Sequence, residues 1–124
     1  MHNSSSITLI LGASTNPDRY SFIAARRLLA AGHEIAMVGK SGGEIAGNPI
    51  LKDVEEITTP VDTITLYLNP ANQVRYYDAI IRLAPRRIIF NPGTENPELE
   101  RMALKNNIEI LNACTLVLLS TNSY

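Results

Sequence analysis

The chain has one cysteine, two histidines and no tryptophan in 124 residues. With Cys114 alone an internal disulfide is excluded, and the composition suits a reducing compartment. No cysteine or histidine cluster has metal-ligand spacing. His2 sits in the amino-terminal tail and His33 just past a helix end, and neither has a serine or cysteine nucleophile in its context. There is no Tyr-x-x-x-Lys pair of the short-chain reductase type. No acidic pocket follows the first and third strands, as a phospho-acceptor domain would require. The expectation is a protein that is not an enzyme. Charge of one sign is also lacking: 11 basic against 12 acidic residues give a net charge of −1, which makes no broad electrostatic case for nucleic acid or membrane. The doublets Arg26-Arg27 and Arg86-Arg87 read as solvated surface. Long apolar runs are missing too. The polar stretch Met1 to Ser6 has no basic n-region, and the run after it is too short for a signal peptide or a membrane span. The cytoplasm is the expected location.

What is present is a 45 % hydrophobic content with ordered alternation of apolar runs and helical stripes. A single domain over residues 1–124 is expected. Strands are predicted over 7–11, 34–38, 63–68, 87–91 and 109–111, and helices over 21–31, 71–84 and 97–105. Val74, Tyr77, Ile81 and Ala84 recur at helix spacing, as do Leu99, Met102 and Ala103. Alternating strands and helices imply right-handed crossovers and a parallel sheet. The predicted fold is α/β, a doubly wound five-stranded parallel sheet of order 3-2-1-4-5. Between Gly39 and Pro60 the alternation breaks. Ser41-Gly42-Gly43 reads as a loop, Gly47-Asn48-Pro49 as a turn, and 51–57 as a short helix with Asp53, Glu55 and Glu56 facing water. Five of the seven prolines follow asparagine. Asn69-Pro70 and Asn96-Pro97 read as helix entries, with the asparagine as N-cap and the proline in the first turn. Pro17, Pro70 and Pro92 follow predicted strands, at the sheet edge where doubly wound folds bind ligands.

The first βα corner is the richest in chemistry. The buried run Ile7 to Leu11 enters the small-residue turn Gly12-Ala13-Ser14 and then a helix. Little side chain there lets a backbone approach a pyrophosphate, and helix-end N–H groups bind anions. The pattern departs from G-x-G-x-x-G, with Ser14 where a second glycine would stand. An NAD site places a carboxylate after the second strand to bond the ribose 2′-hydroxyl. Here Lys40 occupies that corner, and a cation there favours an adenosine ribose carrying an extra phosphate. Ser41-Gly42-Gly43 can add backbone donors. Arg19 is placed to pair a phosphate. Ser21 is placed either to cap the first helix or to donate to an anion. In the loop Asn91 to Asn96, Gly93 permits an unusual backbone angle or a close approach to a cofactor's tail. Cys114, just past the last strand, is a packed small residue or a redox site.

Taken together these residues resemble the small stand-alone CoA-binding domain proteins, which are similar to the amino-terminal domain of the succinyl-CoA synthetase alpha subunit. The resemblance runs from about Ile7 to Cys114. It is carried by Gly12-Ala13-Ser14, Pro17, the Ser21 helix, Gly32, Val38-Gly39-Lys40, the Glu44-Ile45-Ala46-Gly47 turn, Val61-Asp62 and the cysteine after the last strand. It implies a Rossmann-like domain that binds coenzyme A. Gly12, Ala13 and Ser14 would hold the pyrophosphate, and Lys40 would meet the 3′-phosphate. Leu68, Asn69 and Pro70 would border the adenine or the pantetheine. Many relatives have Asn-Pro where this chain has Gly39-Lys40, and a Gln-containing segment where it has Asn91-Pro92-Gly93. Two alternatives stand beside this: an NADP-type oxidoreductase fragment, and a ligand-free regulatory domain on the same fold. The sequence points to a small-molecule ligand and names no protein partner.

Overall fold

A computed structural model describes residues 7–124. The Met1 to Ser6 tail, with His2, lies outside the described residues. Seven strands form one sheet: β1 (Thr8–Leu11), β2 (Ile35–Val38), β3 (Glu44–Ile45), β4 (Asn48–Leu51), β5 (Thr63–Leu66), β6 (Arg87–Phe90) and β7 (Glu109–Asn112). Every residue of β1, β5 and β6 is buried. These strands have helices on both faces, so they read as continuous apolar runs rather than as alternation. Period two then divides the core. Leu9, Leu11, Ile64, Leu66, Ile88 and Phe90 pack on one face with Ile80, Leu99 and Ala103. Ile10, Met37 and Ile50 pack on the other with Ala25 and Leu28.

The strand order is β3-β4-β2-β1-β5-β6-β7, all parallel except the β3–β4 pair. This corrects the five-stranded order 3-2-1-4-5. The predicted third strand, here β5, lies beside β1 on the side away from β2. Its expected place beyond β2 is taken by β4, which pairs in parallel with β2 through Met37↔Ile50 and Val38↔Leu51. The irregular segment is therefore mainly a hairpin. Ala46 and Gly47 both have positive φ, +50° and +83°, which makes the two-residue turn whose twist suits a hairpin. Pro49 is tolerated because no ladder bond calls on its missing N–H: Ile50 N makes the bond across to Gly43 O, and the pairing with β2 begins only at Ile50. The short helix predicted over 51–57 shrinks to a 3-10 turn at Val54–Glu56, opened by an Asp53 capping box.

The helices are α1 (Tyr20–Ala30), α2 (Pro70–Gln73), α3 (Tyr77–Leu83), α4 (Pro97–Lys105) and α5 (Thr115–Ser120). Asn69 and Asn96 cap α2 and α4 as expected, accepting from Asn72 N at 2.9 Å and Leu99 N at 3.2 Å. The helix predicted over 71–84 is not uniform: it tightens to a 3-10 turn at Val74–Tyr76 between α2 and α3. Ala84, at φ +48°, ends it ahead of Pro85. The sequence pattern does not signal helix α5, because Thr-Leu-Val-Leu-Leu is an apolar run without a helical stripe. Among the described residues no helix is long and apolar enough to cross a membrane.

Candidate functional site

From β1 the chain crosses to β2 on one side, and from β4 it returns to β5 on the other. The carboxyl ends of β1 and β5 therefore border the crevice where an open α/β sheet binds ligands. A cleft of about 560 Å³ opens there. Its size is that of a small-molecule site.

The floor is the turn after β1. The N–H groups of Gly12 and Ala13 both donate to Val38 O, at 2.9 and 3.0 Å. These two amides tie the turn to β2 and are not available to an anion. Gly12 has φ +97°, and a Cβ there would meet the Tyr67 carbonyl at 3.0 Å. Gly39 is tighter still: a Cβ would stand 2.1 Å from Ala13 O. Both glycines let the turn lie flat against its neighbours, which opens space above it. Ser14 Oγ accepts from Asn16 N, and Asn16 Oδ1 accepts from Asp18 N, each at 3.0 Å, so the turn is braced by its own side chains. Among the described residues no backbone hydrogen bond engages the amides of Ser14, Thr15, Tyr20 or Ser21.

Of the residues expected at the site, Gly12, Ala13, Ser14, Arg19, Ser21 and Lys40 line the cleft, and so do Leu68, Asn69 and Gly93. Pro17 and Pro70 do not; they shape the entries to α1 and α2 from outside it. Ser21 is not a cap. Arg19 is the N-cap of α1 and makes no side-chain capping bond, while Ser21 is buried in the first turn beside the cleft. Cys114 is the N-cap of α5 and is half-buried, outside the lining set.

The walls are set by buried amides. Gln73 Nε2 donates to Leu68 O and to Thr94 O, both at 2.8 Å, and its Oε1 accepts from Asn96 Nδ2 at 2.9 Å. One side chain thus joins the loops after β5 and β6. Asn91 Nδ2 donates to Thr65 Oγ1 and Leu66 O, and its Oδ1 accepts from Thr115 N, which fixes α5 to the same edge. Tyr67 lines the cleft, and its buried hydroxyl has no hydrogen-bond partner among the described residues. Burial pushes its phenol up to about 12 despite the Thr65 and Thr115 hydroxyls nearby.

The electrostatics of the cleft are one-sided. Arg19, Lys40 and Arg75 line it, and no Asp or Glu does. None of the three is in an ion pair among the described residues. Sequence reasoning missed Arg75 and its neighbours Asn72 and Tyr76. The spacing of 72, 75 and 76 marks one helical face, but a polar face ordinarily faces solvent. No group of three or more His, Cys, Asp or Glu side chains is arranged to hold a metal among the described residues.

The sequence profile of the CoA binding domain matches residues 7–120. The chain belongs to the CoA binding domain family. A search of curated proteins returned no match. Among solved structures, an uncharacterized protein shares 47 % identity with this CoA binding domain protein, with a TM-score of 0.92 over 98 % of this chain and 100 % of that one. A Thermus thermophilus structure at 20 % identity covers 97 % of this chain and 91 % of its own, with a TM-score of 0.87. A dinucleotide-forming acetyl-coenzyme A synthetase from Ca. Korarchaeum cryptofilum matches at 19 % identity and a TM-score of 0.72. That match covers 87 % of this chain and 25 % of the synthetase chain. The last two show shared fold.

Proposed function

We propose that the cleft binds coenzyme A, free or as an acyl thioester, and that the protein acts as a binding module in the cytoplasm rather than as a catalyst. The observation that carries this is a cleft at the sheet's switch point with three unpaired cations and no carboxylate, in a chain of net charge −1. Such a site suits a polyanion with several phosphates. Family membership and the acetyl-coenzyme A synthetase domain of like fold support the choice of polyanion.

The residues present fit the ligand. Gly12 and Ala13 supply close approach rather than donors. The amides of Ser14 and Thr15, which no backbone group engages among the described residues, suit the pyrophosphate together with those at the start of α1 and the Arg19 guanidinium. Lys40 suits the 3′-phosphate, and Leu68 to Asn69 with Gly93 border the rest of the ligand. Bound coenzyme A brings a thiol that carries acyl groups, and the chain's part is to hold and present it.

A thermal-shift panel tests this. Coenzyme A should raise the melting temperature, dephospho-coenzyme A should do so less, and NAD should leave it unchanged. Ligand at a hundred times Kd stabilises by about 2.7 kcal/mol. A shift with NADP and none with coenzyme A would favour an oxidoreductase fragment. No shift with any ligand would return the protein to a ligand-free regulatory role.

A further inference from the structure

We propose that Arg75 is a specificity-determining residue of the cleft, holding the 3′-phosphate of the bound coenzyme A from the β5 side while Lys40 holds it from the β2 side. The proposal rests on the coenzyme A reading above and adds a residue that the family resemblance does not supply.

Three observations carry it. The first is aim. Asn72, Arg75 and Tyr76 share one helical face that lines the cleft. Gln73, buried between them and the loops after β5 and β6, holds that face in place through Leu68 O and Thr94 O. The tightening to a 3-10 turn at Val74–Tyr76 includes Arg75 and Tyr76. The second is free charge. Arg75 also borders an adjoining depression of about 470 Å³ that contains Asp53, Glu55 and Asp78. It pairs with none of them, and Glu55 is taken by Arg82 instead. The guanidinium is left without a carboxylate although three stand nearby. The third is stoichiometry of charge. Arg19 stands at the start of α1 beside the pyrophosphate corner. A terminal phosphate monoester carries close to two charges at neutral pH, which Lys40 alone does not balance. A planar guanidinium fork adds paired hydrogen bonds to phosphate oxygens that an ammonium cannot.

The test is calorimetric titration of the full chain with coenzyme A and dephospho-coenzyme A, at low and moderate salt. It compares the parent, Arg75→Gln, Arg75→Lys and Lys40→Ala. Circular dichroism melts of each variant check the fold. Arg75→Gln should weaken coenzyme A about five- to thirtyfold and dephospho-coenzyme A by less than about twofold. Arg75→Lys should recover part of the loss. The gap between ligands should narrow with salt. Equal losses for both ligands would place Arg75 on the base or the fold and overturn the proposal. Unchanged binding of both would overturn it as well, while leaving coenzyme A as the ligand. A parent protein that binds neither ligand would remove the coenzyme A reading and this assignment with it.

Discussion

The two edges of the sheet treat charge in opposite ways. At the amino edge Arg86 and Arg87 are both answered. Arg86 forks onto Asp62 through Nε–Oδ1 at 3.0 Å and Nη2–Oδ2 at 3.1 Å, and Glu109 stands 3.7 Å away. Arg87, only 7 % exposed, donates to Thr63 Oγ1 at 3.0 Å and lies 4.5 Å from the centre of the Tyr124 ring. Tyr124 in turn bonds Thr8 and meets the His33 ring edge-on at 4.8 Å. At the carboxyl edge Arg19, Lys40 and Arg75 face a shared cleft without a carboxylate. Both edges belong to the same parallel strands, so strand geometry does not account for the difference. An edge that neutralises its own charge serves stability. An edge that leaves like charges together is destabilised by them until an anion arrives. Stability and binding should therefore separate by edge under mutation.

The largest expected effect is on the amino edge. Arg87→Leu removes the bond to Thr63 and the stacking on Tyr124, and it should lower stability by about 2–4 kcal/mol in denaturant melts. Coenzyme A affinity of the folded variant should stay within about twofold, because the cleft lies at the other end of the strands. A comparable loss of affinity would mean that the edges are coupled.

Lys40→Ala is the converse. It should cost coenzyme A about five- to thirtyfold in affinity by calorimetry. Stability without ligand should change by no more than about 0.5 kcal/mol, as for an exposed surface site. A stability loss without an affinity loss would make Lys40 structural.

The smallest effect sharpens the comparison through pH. Burial pushes the Asp62 carboxyl up, but bonds from Arg86 and Thr63 and the charges of Arg86 and Arg87 outweigh it and hold it below the usual aspartate value. A depressed carboxylate contributes stability above its unfolded value and loses it as pH falls through the folded one. Asp62→Asn should therefore cost about 0.5–1 kcal/mol at neutral pH, modest because Arg86 is half-exposed. The parent and the variant should converge in acid. A constant gap across the acid limb would assign the loss to packing instead.

These differences also mark what was legible before the structure. β1 and the turn after it stand out because a strand buried on both faces must be apolar throughout, and Gly12 signals a backbone constraint locally. Lys40 is legible because its meaning depends only on standing two residues past β2. The β3–β4 hairpin is not, since a two-residue strand carries no period and Pro49 argues against pairing until Ile50 is seen to make the bond to Gly43 and to begin the pairing with β2. Gly39 is needed because Ala13 O crosses it, a contact between distant residues that leaves no local pattern. Arg75 looks like a solvated helix residue until Gln73 and the β4 return place its face over the cleft. The order 3-2-1-4-5 differs from the structure for the same cause: unless β4 is known to be a strand, the place beyond β2 stands open for β5.

The most direct test of the two-edge account is an amide-resolved NMR titration of the parent protein with coenzyme A. Perturbed amides should concentrate at 12–21, 39–41, 67–76 and 92–94, and the amides of Asp62, Arg86, Arg87, Glu109 and Tyr124 should stay still. Perturbation centred on the amino edge, or spread evenly over both, would contradict it.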